Sequence, residues 1–150
     1  MIRRSSWVFS LFTAVLLLHA SASPAQNVKR FSTCDTLVQN TQFNRCRYRA
    51  NGTLRALAYV DESGQLNGGW IEYGRAGRSS TNIYGQYSDG KKNGEWVFRN
   101  AKGEFLRSEN YELGTPCGKW WINPYEFVEL DKRGKVIAKG SGSRDNLKTF

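Results

Sequence analysis

Three cysteines, Cys34, Cys46 and Cys117, are the residues most able to do covalent chemistry in this chain. Lys119 lies two residues beyond Cys117, and a neighbouring cation favours the reactive thiolate. A cysteine nucleophile also works with a general base, most often histidine. The sequence holds one histidine, His19, in an N-terminal stretch with its own signature. Carboxylates occur close together at Asp61-Glu62, Glu109 with Glu112, and Glu126 with Glu129. Paired carboxylates serve acid/base catalysis, but charges alternating along the wet side of a sheet give the same pattern. No G-x-S-x-G or P-loop occurs, and the cysteines lack C-x-x-C spacing. The expectation is a non-enzymatic protein with no metal and no cofactor.

The first residues decide which others count. Arg3 and Arg4 precede an apolar stretch from Trp7 to Leu18, and small residues follow from Ala20 to Ala25. That order is the layout of a secretory signal peptide. The apolar core is about a dozen residues, short of the ~20 a membrane-spanning helix needs. Residues 1–22 are therefore expected to be a signal peptide, cut after Ala22 or Ala25, giving a periplasmic or secreted protein without a membrane anchor. His19 would leave with it. So would Arg3 and Arg4, leaving 20 Lys and Arg against 13 Asp and Glu, a formal charge of +7.

Export would place the cysteines where disulfides persist. Cys34 and Cys46 are the nearest pair and would staple the N-terminal segment, 23–46, to the first strand. Cys117 is then unpaired, unless it bonds one of the others or a second chain. Arg45, Arg47, Arg49 and Arg55 gather beside them. On a strand Arg47 and Arg49 share one face. Such a stripe suits an acidic protein, anionic lipid or a cell-wall polyanion. Nucleic acid suits an exported protein poorly.

The elements that position these residues read as β-structure. Asn51-Gly52, Ser63-Gly64, Asp89-Gly90, Lys102-Gly103 and Arg133-Gly134 are turn signals between aromatic or β-branched runs. Runs such as Leu54 to Tyr59 and Trp96 to Arg99 have strand character. The one helix candidate is Cys34 to Phe43, with Ser32 or Thr33 as N-cap. Asn51-Gly52-Thr53 also matches a glycosylation sequon, though a hairpin turn explains it more simply.

A repeat runs through these strands. Gly68-Gly69-Trp70, Gly94-Glu95-Trp96 and Gly118-Lys119-Trp120 recur at spacings of 26 and 24 residues. Tyr87 to Trp96 aligns without gaps on Tyr111 to Trp120, pairing Gly90 with Gly114 and Gly94 with Gly118. An earlier copy, Asp61 to Trp70, keeps Gly64, Gly68 and the tryptophan. Units this short bury their aromatic face only by stacking on neighbours. In each, the first glycine would turn the chain. The second would leave room for a neighbouring ring.

The phrase Tyr-x-x-Gly-Lys-x-x-Gly-x-Trp at Tyr87 to Trp96 resembles the MORN repeat family, in the bacterial form common among antitoxin-like proteins. The likeness spans Asp61 to Gly140. It implies an all-β fold, an elongated antiparallel sheet of successive hairpins across 47–140. Residues 141–150 are polar with Gly and Ser and are expected to be a flexible tail. The resemblance also implies scaffolding, protein binding or lipid association and brings no catalytic residues. The third copy departs from the pattern at Thr115-Pro116-Cys117 and lacks its downstream glycine, as a capping unit would. Trp120 and Trp121 are strand neighbours and must face opposite sides. The expectation is an exported protein-binding module, of immunity or antitoxin type, touching its partner through the arginine hairpin and through Trp121 and Tyr125. The alternative is attachment to an anionic membrane or wall surface.

Overall fold

A computed structural model describes residues 30–75 and 80–144. The expected signal peptide, 1–22, lies outside the described residues, as do 23–29 and 145–150. Every regular element described is a strand. In chain order they are β1 (Ser32–Val38), β2 (Thr41–Tyr48), β3 (Leu54–Val60), β4 (Leu66–Tyr73), β5 (Thr81–Ser88) and β6 (Lys91–Arg99). There follow β7 (Phe105–Glu112), β8 (Thr115–Pro116), β9 (Gly118–Trp121), β10 (Glu126–Leu130) and β11 (Val136–Ser141). They form one open antiparallel sheet whose spatial order is the chain order, except that the short β8 pairs only with β7.

The helix expected over Cys34 to Phe43 does not form; these residues belong to the β1–β2 hairpin. Thr33, Thr36, Val38 and Thr41 are β-branched and favour extended backbone. Gln39 and Asn40 occupy the turn at φ 48° and 63°, the double left-handed geometry of a two-residue hairpin loop. Two similar loops recur, at Asp89-Gly90 between β5 and β6 and at Leu113-Gly114 between β7 and β8.

Three other hairpins, β3–β4, β6–β7 and β10–β11, use a different device. Gly64, Gly103 and Gly134 each donate a backbone hydrogen bond to the carbonyl three residues back, on Asp61, Asn100 and Asp131. The Oδ1 atoms of those three residues accept backbone N–H groups two and four residues on, at 2.8–3.0 Å. Such side-chain caps pin the loop from within. Bonds from Ser63 above all hold the Asp61 carboxyl below its usual range.

Partners across the ladders share a face of the sheet, and both faces are packed near the N-terminal end. One row on the first face runs Cys46, Leu57, Ile71, Tyr84, Val97 and Ser108 to Trp121. Its core holds Phe43, Cys46, Leu54, Leu57, Ile71 and Tyr73. On the second face the core is Ala58, Val60, Leu66, Trp70 and Trp96, flanked by Phe31, Tyr87, Phe98 and Tyr111. Burial of each large apolar side chain contributes roughly 1.5–3 kcal/mol. β2 and β3 part beyond Arg45, where the Asn44 side chain both donates to the Val60 carbonyl and accepts from its N–H. The Cys34–Cys46 disulfide is formed between β1 and β2, which is compatible with an oxidising compartment. Among the described residues no helix is long and apolar enough to cross a membrane.

Candidate interaction surface

The motif residues sit where neighbouring hairpins meet. Tyr87 on β5 lies edge-on between Trp70 and Trp96, with ring centroids 5.7 and 5.0 Å away. Tyr111 on β7 meets Trp120 at 5.5 Å. The Trp96 indole donates to the Gln86 carbonyl at 3.1 Å, and the Trp120 indole to that of Asn110 at 2.9 Å. The Gly90 N–H reaches back to the Leu66 carbonyl, and that of Gly114 to Lys92. Gly94 and Gly118 were expected to make room for a ring. Gly94 has open space around it, and a Cβ on Gly118 would meet only the edge of Asn110. Both have φ of 64–70° instead, a conformation that suits glycine. The room for the Trp96 ring is made by Gly85, where a Cβ would overlap the indole. Gly64 shapes its loop as described above, and Gly68 sits against Tyr59.

Much of the positive charge rests on aromatic faces. Lys92 Nζ lies 4.5 Å from the Trp96 ring and 4.7 Å from Tyr111. Arg107 covers Phe98 at 3.8 Å, and Arg47 covers Phe31 at 5.3 Å. On the first face Lys119 covers Phe127 at 4.0 Å. Such contacts attract a cation to the ring quadrupole. Glu109 accepts from Arg107 Nε at 3.0 Å and the Tyr111 hydroxyl at 2.8 Å, with Lys92 3.8 Å away. Burial lowers the Lys92 ammonium more than Glu109 raises it. Burial, helped by the Glu72 charge, pushes Tyr87 up to about 12. Burial, then the bond to Glu109, raises Tyr111 as well.

The two expected contact regions lie far apart along the sheet. Arg45, Arg47, Arg49 and Arg55 belong to β2, β3 and their connection, while Trp121 ends β9 and Tyr125 precedes β10. Arg45 donates to the Asn44 carbonyl at 2.9 Å. Arg49 donates to the carbonyls of Leu54 and Tyr73, at 3.1 and 2.7 Å. Trp121 packs on Phe127 and lies beneath Arg144, whereas Tyr125 is 69% exposed. Cys117 is a half-buried free thiol between β8 and β9.

No family model, curated protein or solved structure matches this chain.

Three features of the surface had not been read from the sequence. Arg144, beyond β11, donates to the fully buried Ser108 hydroxyl and to the Glu95 carboxylate. Its backbone N–H bonds the Pro124 carbonyl. No motif marks it, because its partners lie 36 and 49 residues away. Lys92 and Arg107 were legible only through strand alternation, which sets them on the face of Trp96 and Phe98. A cleft of about 380 Å³ opens on the first face between the tip of the β1–β2 hairpin and β4–β5. Leu37, Val38, Phe43, Ile71, Tyr73 and Tyr84 line it with no charged side chain. Gln39, Thr41 and Thr81 complete its lining, so polar and apolar groups share it.

Proposed function

We propose that this is an exported, non-catalytic MORN-like repeat protein that binds a protein partner, in the manner of an immunity or antitoxin-type inhibitor. The observation that carries the repeat part is the recurrence of the motif residues' hydrogen bonds, with donors 24 residues apart and acceptors 24 or 26 apart. Trp96 to Gln86 is matched by Trp120 to Asn110, and Gly90 to Leu66 by Gly114 to Lys92. Where each unit leans on its neighbour through the same rings and carbonyls, stacking absorbs the motif residues and leaves the outward side chains for contact. The disulfide supports the exported setting. Among the described residues no cluster of three metal-binding side chains occurs.

The test is a tagged mature chain used as bait on the cell-envelope fraction. A stoichiometric protein partner that co-elutes on size exclusion is expected; its absence overturns the reading. A second reading, attachment to an anionic membrane or wall surface, is favoured by the arginines of the first hairpins. Sedimentation with anionic vesicles or wall fragments over a salt series checks it, since charge-driven attachment weakens as salt rises.

A further inference from the structure

The arginines of the first hairpins divide into two kinds. Arg45 and Arg49 are tied to backbone carbonyls. Arg47 makes no hydrogen bond or ion pair among the described residues, and its Nε is buried without an acceptor. It is held over the Phe31 ring, beside Arg30 in the chain, and its ladder partner on β3 is Ala56, next to Arg55. The ion pairs at Lys92, Arg107 and Arg144 lie elsewhere. Burial and then the charges of Arg55, Arg30 and Arg49 lower the Arg47 guanidinium, with Glu72 opposing them. The fold thus gathers like charges around Arg47, with Glu72 acting from two strands away and no carboxylate in ion-pair contact with it among the described residues.

We propose that Arg30, Arg47 and Arg55 form a docking site for an acidic segment of the protein partner, rich in aspartate or glutamate. The site rests on the protein-binding reading above and deepens it. Planar guanidinium forks match side-chain carboxylates in two-pronged hydrogen bonds. Glu72 lies in the same cross-strand row as Arg47, so the patch is bipolar. A protein can place a basic group opposite Glu72 as well as carboxylates opposite the arginines, which a uniformly negative surface cannot.

The test compares two variants of the mature protein that each lose two positive charges. R47Q/R55Q alters the site; K132Q/K135Q alters the distant β10–β11 hairpin. Binding of a fluorescent oligoglutamate peptide is followed by anisotropy over a salt series, with phosphatidylserine vesicles and inorganic phosphate as comparison probes. R47Q/R55Q is expected to weaken peptide binding about tenfold and K132Q/K135Q at most about twofold, as a localised site requires. Equal losses in both variants, no peptide binding, or tighter binding to vesicles than to peptide would overturn the site. Arg30 is exposed and outside the strands, so R30Q supplies the same comparison if the double variant fails to fold. In the envelope pull-down, a partner retained equally by wild type and R47Q/R55Q removes this site alone. No partner with wild type removes the protein-binding reading itself.

Discussion

Gly85 and Tyr87, two residues apart on β5, show how closely single side chains are bound into the hairpin contacts. A methyl group at Gly85 would enter the Trp96 indole, which is itself buried and hydrogen-bonded to Gln86. Gly85→Ala should therefore cost about 1–3 kcal/mol, read as a lower urea midpoint with altered tryptophan fluorescence. Tyr87 carries the opposite kind of information, in its titration. Its folded pKa, about 12, lies above the ordinary 10. The folded state then holds its proton where the unfolded state has lost it. The stability this represents is present below pH 10 and falls away as pH rises from about 10 to 12. Lys92 opposes the trend: its lowered pKa makes the fold gain stability as pH approaches the ordinary lysine value. Tyr87→Phe should leave neutral-pH stability nearly unchanged and flatten the loss above pH 10, by roughly 2 kcal/mol. Denaturant titrations at stepped pH would show it, and parallel wild-type and variant curves would refute the assignment.

At the scale of elements, the two hairpin types carry distinct weak points. The β7–β8 loop places the exposed Leu113 at φ 47°, where a branched apolar residue is strained and asparagine is tolerated. Leu113→Asn should raise stability by roughly 0.5–1 kcal/mol, measured as a higher urea midpoint; a lower one would mean that the leucine has a packing role. The β1–β2 hairpin depends on its staple. The Cys34–Cys46 loop spans 12 residues, worth about 3 kcal/mol in the chain-entropy model. Cys34→Ser with Cys46→Ser should lower the thermal midpoint, and reductant should do the same to the wild type. The Asp61, Asn100 and Asp131 loops had a readable signature, an Asp or Asn three residues ahead of glycine. The β1–β2 turn offers no such glycine, and Ser32 or Thr33 as N-cap pointed to a helix over Cys34 to Phe43.

For the whole molecule, the decisive property is that strand order follows chain order. Packing passes from each hairpin to the next, so stability is distributed as in other quasi-one-dimensional folds. Loss of the disulfide should therefore raise amide exchange in β1–β3 and leave β9–β11 nearly as protected as in wild type. A uniform rise along the chain would show that the sheet unfolds as one cooperative unit. The far end has its own clasp, since Arg144 ties the chain beyond β11 to Ser108 and Glu95 on β7 and β6.

The strand character, the glycine turns and the Tyr–Trp recurrence were legible from sequence, because each depends on residue type at short spacing. Proximity along the chain also suggested the Cys34–Cys46 pairing, although it did not exclude others. Which glycine admits a ring was decided by register, since Gly85 and Trp96 meet only when β5 and β6 are aligned. The same holds for the arginines. Spacing set four of them together, but only the folded sheet ties Arg45 and Arg49 to carbonyl oxygens and leaves Arg47 over Phe31 without an ion pair. A side chain's partners across a sheet lie tens of residues away, and no local pattern records which acceptors the fold will bring within reach.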